Sequence, residues 1–573
     1  MLRHFLALLL LPLAALSWRA PGDTRPNFIV YIPDTIRAEA LSAYGHPFVK
    51  SPNVDRLAAR GVVFEQAHVQ HTQCTPSRIA VMSGRYLHVV GHRTQTHLLQ
   101  TYEPNVFRYL KNSGYTTIML GKNDMLSVDS FNSTFTFWEN DIGTSGGPSP
   151  FTKPSEPGYY SFAASAGGPG NTTKGNGDLL ATTLISDWIA SDPPEPFAVW
   201  ISGIGAHPPY GAPAGFYDMY SAAQVHASAP LRPYSASANK PAFIGPNGIP
   251  GFRNLNSFND SFFEGLAAVY YGRVSYMDYV LGDLMDGLDR TPSIASNTAL
   301  FMTSDHGDYA GDWHNVEKYP CALDDVLTRV PLIASFPGGQ AGVRAPAPVE
   351  TLDLFATLLD AAGILGNETD AAHPVERHFS QSLLPFILGS PSAKGRDWVF
   401  SEGGYVPNTI EVEPLDPEQA KEYAQPNSLY YPRGKEELVA EHCTRALMIR
   451  NETMKLVYRC APAASELYDL SQDPRELQNL WGVPQYASVQ VQMQLAMLDW
   501  LAATSDITPL IEDPRGVPDF PGKPVSLSDT TLLISVRHAF TLLISPPPSF
   551  PTSRFTALPM AASGAGRGRG KGR

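Results

Sequence analysis

Short runs of apolar, β-rich residues recur along the first half of the chain, separated by segments with helical spacing. Phe28 to Ile32, Thr116 to Leu120, Phe197 to Ser202 and Ala299 to Ser304 lack the apolar–polar alternation of a half-wetted strand, so they read as strands buried on both faces. Between them, Ser51 stands where a helix N-cap would, with Pro52 at the first helical position and Gly61 past the end. Phe107, Tyr109 and Leu110 mark a second short helix closed by Gly114. Met277, Leu281, Leu284 and Leu288 recur at helical spacing in a longer one and read as core. This alternation predicts an α/β fold, a mainly parallel sheet covered by helices on both faces.

Two stretches, about 145–177 and 208–256, are rich in Gly, Pro, Ser and Ala and lack periodicity, so they are expected to be long loops or insertions, candidates for the walls of a substrate cleft. Around residue 400 the segments shorten. Ala446 to Tyr458 reads as a hairpin turning at Asn451-Glu452, and Tyr486 to Ala503 as a helix, together a smaller C-terminal α+β domain. Beyond about Asp513 the chain is Pro-rich and ends in a basic Gly/Arg repeat, a composition expected to stay disordered. The predicted organisation is a leader at 1–17, an α/β domain at 26–400, the smaller domain at 401–512 and a tail at 513–573.

Composition narrows the function classes. A formal charge of -13 argues against a nucleic-acid footprint over the body, because phosphate binding needs clustered Lys and Arg. Arg3 and His4 precede the apolar run Phe5 to Leu16, the pattern of a cleaved secretory signal too short to span a bilayer comfortably, so a secretory-pathway protein, extracellular or in a lysosome- or vacuole-like compartment, with no membrane span after cleavage is expected. Sequons at Asn132, Asn171, Asn259, Asn367 and Asn451 agree with export. With four cysteines, disulfides do not frame the fold. Cys443 and Cys460 flank the predicted hairpin and are a candidate pair, Cys321 reads as a buried thiol, and Cys74 is left unassigned.

In open α/β sheets ligands bind beyond the carboxyl ends of the strands. Asp34, Lys122, His207 and the pair Asp305-His306 all follow predicted strands. Asp34, Asp305 and His306 are hard or borderline ligands suited to a divalent cation. Cys74 precedes a helix beginning near Pro76, where unbonded N–H groups and the helix dipole favour a tetrahedral oxyanion. On these grounds alone it is either idle or a thiolate activated by the dipole and Arg78.

Cys74-Thr75-Pro76-Ser77-Arg78, followed by Met82-Ser83-Gly84-Arg85, resembles the signature of the sulfatases, within the alkaline phosphatase superfamily. Pro26-Asn27-Phe28, Gly121-Lys122, Thr303-Ser304-Asp305-His306-Gly307 and Glu466-Leu467-Tyr468-Asp469-Leu470 extend the resemblance over about residues 26 to 480. It implies an alkaline-phosphatase-like fold and a cysteine oxidised to formylglycine, with a formylglycine-generating enzyme as partner during secretion. It also implies a cation held by Asp34, Asp305, His306 and modified Cys74, calcium in the first place, with magnesium and manganese as alternatives. Lys122 and Lys318 would neutralise the sulfate oxygens, Arg78 would hold the formylglycine hydroxyl, and His207 would protonate the leaving oxygen of a small-molecule or carbohydrate sulfate ester.

The chain departs from the pattern twice. Many relatives have a second aspartate where Thr35 stands, and a Trp-His pair where Asn123-Asp124 stands. Asp124 is therefore a candidate base for sulfate release, although its charge opposes a bound sulfate. A phosphonate or phosphate ester hydrolase of the same superfamily is the nearest competing reading, and a catalytically silent binding protein a more distant one. His92 and His97, beyond the motif helix, are either substrate-mouth or surface histidines.

Overall fold

A computed structural model describes residues 23–140 apart from 96, residue 142, 176–365 apart from 209, 375–404, 444–460 and 464–505. The predicted leader, Asn171, Asn367, Cys443, most of 145–177 and the 513–573 tail lie outside these residues.

The main sheet contains β1 (Asn27–Pro33), β2 (Val62–His68), β3 (Thr116–Gly121), β4 (Phe137–Glu139), β5 (Phe197–Gly203), β6 (Thr298–Thr303), β7 (Arg329–Val330), β8 (Leu332–Ser335) and β9 (Val343–Glu350). Its order is β4-β3-β5-β1-β6-β8-β2-β7, with β9 also on β2. From β4 to β6 every neighbouring pair is parallel. The far flank is mixed, with β8 antiparallel to β6 and β2 antiparallel to β8 and β7 but parallel to β9.

Burial on both faces follows from the two-residue repeat of a strand. Ile29 and Tyr31 of β1, Val199 and Ile201 of β5, and Leu300 and Met302 of β6 enter one core. Phe28, Val30, Ala198, Trp200, Ala299 and Phe301 enter the other. The first core is closed by helices α1 (Pro52–Arg60), α4 (Asn176–Ala190) and α6 (Asp260–Asp289), the last carrying the Met277, Leu281, Leu284 and Leu288 stripe. The second is closed by α2 (Cys74–Ser83), α3 (Val106–Asn112) and α7 (Asp353–Ala361).

A second, antiparallel sheet, β10 (Val399–Gly403), β11 (Ala446–Arg450), β12 (Met454–Arg459) and β13 (Glu466–Asp469), carries the C-terminal helix α8 (Ala487–Thr504). The predicted hairpin is β11–β12, its turn fixed by Asn451 Oδ1, which accepts from the Thr453 and Met454 N–H groups at 3.0 and 2.8 Å. Phe400, Ile449, Leu456, Leu467 and Trp500 join the core behind α2, so the two sheets share apolar packing.

Two local expectations change. Ser51 stands at the N-cap of α1 without capping it; its Oγ accepts from the Ser42 N–H, and Asp278 of α6 accepts the Val54 N–H at 2.7 Å instead. The 208–256 stretch is not all loop: it contains α5 (Ala222–Ser228), started by a capping box between Ser221 and Gln224. Cys460 is exposed and free, and its candidate partner Cys443 lies outside the described residues. Cys321 is a buried cysteine, as expected. Among the described residues no helix is long and apolar enough to cross a membrane.

Candidate active site

The strands β3, β5, β1 and β6 are consecutive neighbours running parallel, so Lys122, His207, Asp34 and Asp305-His306 emerge along one edge of the sheet. Two loops interlock there. The Asp34 N–H binds the Gly203 carbonyl at 3.3 Å, and the Ala206 N–H returns to the Asp34 carbonyl at 2.9 Å. Asp178 of α4 accepts the Ile204 and Gly205 N–H groups at 2.7 and 3.1 Å, fixing the loop that carries His207.

Against this edge lies the start of α2. Cys74 is its first residue and Arg78 lies one turn on, both buried. The start of the helix offers less to an anion than the sequence suggests: the Thr75 N–H is taken by Gln95 Oε1 at 3.1 Å, Pro76 has none, and the Ser77 N–H binds the Gln73 carbonyl at 3.1 Å. Positive charge at the site comes from side chains.

Arg78 Nε and Nη2 reach Asp305 Oδ2 at 2.9 and 2.8 Å, Nη2 lies 3.5 Å from Asp34 Oδ2, and Nη1 donates to Ser202 Oγ. Lys122 Nζ lies 2.5 Å from Asp34 Oδ2, 2.7 Å from Asp124 Oδ2 and 3.4 Å from Cys74 Sγ. Lys318, buried, lies 3.2 Å from Glu317 Oε1. His207 is partly exposed, donates from Nδ1 to the Pro208 carbonyl at 2.6 Å, and has Nε2 3.8 Å from Glu317 Oε1.

Ligand atoms of Asp34, Cys74, Asp305 and His306 all lie within 4.8 Å of one another, and all four residues are buried. His306 Nδ1 faces the Gly307 carbonyl at 2.9 Å; because a carbonyl only accepts, Nδ1 carries the proton and Nε2 presents its lone pair, 3.5 Å from Asp34 Oδ1 and 3.2 Å from Cys74 Sγ. Thr35 takes a left-handed backbone (φ 61°), donates its N–H to Asp305 Oδ1 at 3.2 Å, and has a buried hydroxyl without a hydrogen-bond partner. Two carboxylates, a bare imidazole nitrogen and an unsatisfied hydroxyl fit a divalent cation.

Burial opposes ionisation of Asp34, yet the Lys122 ammonium, with Lys318 behind it, holds its carboxyl well below the usual range. Burial lowers His306, keeping it neutral as a ligand must be. Burial, with Lys318 next, takes His207 well below its usual value. Burial and Asp34 push the Cys74 thiol up to about 12, so unmodified Cys74 is a thiol at neutral pH and a poor nucleophile.

All eight residues assigned chemistry in the sequence thus converge on one site. Ser202, Glu317 and Asp308 were not anticipated; Asp308 Oδ1 accepts from Tyr210 Oη at 2.6 Å and from the Glu317 N–H at 3.0 Å, and burial raises the Asp308 carboxyl to about 6. His92 is not a surface histidine: it is buried between the His97 carbonyl and Glu103 Oε1, both at 2.7 Å.

Comparison with known proteins agrees with this geometry. The family described as Sulfatase matches residues 26–364, and the one described as N-sulphoglucosamine sulphohydrolase, C-terminal, matches 405–502. A multifunctional alkaline phosphatase superfamily protein of Trinickia caryophylli is 26% identical, covering 85% of this chain and 97% of that protein. The choline-sulfatase of Rhizobium meliloti is 25% identical over 80% and 82%. Among solved structures, the phosphonate monoester hydrolase of Agrobacterium radiobacter shares the fold with a TM-score of 0.63 at 21% identity, covering 84% of this chain and 96% of that one. The chain belongs to the sulfatase family of hydrolases.

Proposed function

We propose that the protein is a secreted, arylsulfatase-like enzyme that hydrolyses a sulfate monoester to an alcohol or phenol and inorganic sulfate, using formylglycine made from Cys74. The observation that carries this reading is the position of Cys74 Sγ, 3.2 Å from His306 Nε2 in the ligand cluster and 3.4 Å from the Lys122 ammonium. A nucleophile at that atom stands between a cation site and the positive groups an anionic ester needs. A cation bound there, calcium by the family resemblance, would supply Lewis acidity, and Asp34, Asp305, His306 and the modified residue 74 would hold it.

The remaining steps belong to side chains. Arg78, locked by Asp305 and Ser202, orients the formylglycine hydroxyl. Lys122 and Lys318 face the ester oxygens and stabilise charge developing there. His207 is neutral in the free enzyme; an anionic ester beside it offsets the Lys318 charge, so it takes up a proton that Nε2 delivers to the leaving oxygen. The relatives' own activities include choline sulfate and N-acetylglucosamine 6-sulfate, so the shared sulfate monoester is the class carried over. Export is supported by the leader and by Asn132, an exposed sequon.

Protein from a eukaryotic secretory host should hydrolyse 4-nitrophenyl sulfate, with Cys74→Ala abolishing turnover and Lys318→Ala lowering it about a hundredfold or more. Near-normal turnover in either variant would place the chemistry elsewhere.

A further inference from the structure

We propose that Asp124 and Glu317 are specificity-determining residues that restrict the anion pocket to esters carrying one negative charge. The inference rests on the reading of Lys122 and Lys318 as the groups that face the ester oxygens. Each of these lysines is matched to a carboxylate outside the cation-ligand cluster. Lys122 Nζ is shared between Asp34, a cluster member, and Asp124 Oδ2 at 2.7 Å, which is not. Lys318 Nζ lies 3.2 Å from Glu317 Oε1, and both side chains are buried, where charge is screened least.

Glu317 is held in place by its surroundings. Its backbone is left-handed (φ 64°), a conformation that a residue with a Cβ keeps only under constraint, and its N–H is held by Tyr210 Oη at 2.8 Å and Asp308 Oδ1 at 3.0 Å. The carboxylate it presents lies between Lys318, His207 Nε2 at 3.8 Å and Arg253 Nη1 at 3.8 Å. Each ester-facing lysine thereby has a carboxylate partner before the ester binds, which offsets part of its charge. A sulfate monoester, a phosphodiester or a phosphonate monoester brings a single negative charge to this pocket. A phosphate monoester brings two at neutral pH, and the second meets two carboxylates instead of free positive charge. Such exclusion by a repulsive element is how a site separates ligands of the same shape.

The test uses three esters with one leaving group: 4-nitrophenyl sulfate and bis(4-nitrophenyl) phosphate, both monoanions, and 4-nitrophenyl phosphate, a dianion at pH 8. For Glu317→Gln and for Asp124→Asn, kcat/KM for the dianion relative to either monoanion should rise on the order of tenfold, while the ratio between the monoanions changes less than about threefold. A purely structural defect would move all three together, and that result would overturn the proposal. Asp124 is partly exposed and remote in sequence from Glu317, so it tests the idea even where Glu317→Gln fails to fold. Should either variant lose turnover, the same ratios are read calorimetrically from binding of the intact esters with Cys74→Ala added, unchanged ratios again overturning it. Wild-type enzyme that hydrolyses no sulfate ester would instead refute the proposed function.

Discussion

Replacing Gly205 by alanine drives a methyl group into the backbone of Asp34. Gly205 sits at φ +58°, and a Cβ built there lies 2.2 Å from the Asp34 carbonyl oxygen and 2.3 Å from its nitrogen. Ordinary contact begins near 3.4 Å, so the loop after β5 and the end of β1 must separate by about 1 Å, and neither atom belongs to a side chain able to rotate away. The left-handed backbone adds about 1–2 kcal/mol. A shift of that size at Asp34 should lower turnover about a hundredfold, since misplacement by about 1 Å costs on that order, or about 2.7 kcal/mol in the barrier. Gly215 is the control: it too is left-handed, at φ +87°, but has nothing within 4 Å of its built Cβ. Gly215→Ala should lose some thermal stability and keep its turnover, whereas Gly205→Ala should lose turnover and cation affinity by titration calorimetry. If the two variants behave alike in both assays, the loop does not position Asp34.

Three further outcomes follow from the same geometry. Arg78→Met strips the buried Asp305 carboxylate of its paired guanidinium and should destabilise cation-free protein by about 3–5 kcal/mol; a loss below about 1 kcal/mol in urea denaturation would show that the pair contributes little. Burial raises Asp278 from 3.8 to about 6, so the stability linked to it is full below about pH 4 and is lost as pH rises through 6, by about 3 kcal/mol in all. Asp278→Asn should therefore flatten the stability profile between pH 4 and 6, and an unchanged profile would assign that slope to other groups. Treatment with a chelator should abolish sulfate ester hydrolysis and lower the melting temperature, both restored by adding back a divalent cation, because the ligand cluster exists as such only in the folded chain; full activity without any cation would contradict the assignment of Asp34, Asp305 and His306.

The strands that position the site were legible because each is an apolar run ending at a polar residue, and the Cys74 motif marked where the opposing helix begins. What the chain order concealed was that β3, β5, β1 and β6 lie side by side, which is a property of crossover topology and not of any local pattern. Glu317 drew no notice because nothing about a single glutamate before a lysine marks it; its role comes from a left-handed turn and from Tyr210 and Asp308, distant or unremarkable in sequence. Ser51 misled because a serine before Pro52 has the features of an N-cap, yet Ser42 competes for its hydroxyl and Asp278 arrives from another helix to cap in its place. The helix at Ala222–Ser228 had a signal that was available, a serine three residues before a glutamine, obscured by the Gly- and Pro-rich residues around it.

In the proposed function residue 74 acts as formylglycine and not as cysteine, because the buried thiol, pushed up to about 12, would serve poorly as a nucleophile. Mass spectrometry of the peptide containing residue 74, taken from active protein made in a eukaryotic secretory host, tests it directly. A mass about 18 Da below that of the cysteine peptide is the result the account predicts. An intact thiol in protein that hydrolyses sulfate esters at full rate would contradict it.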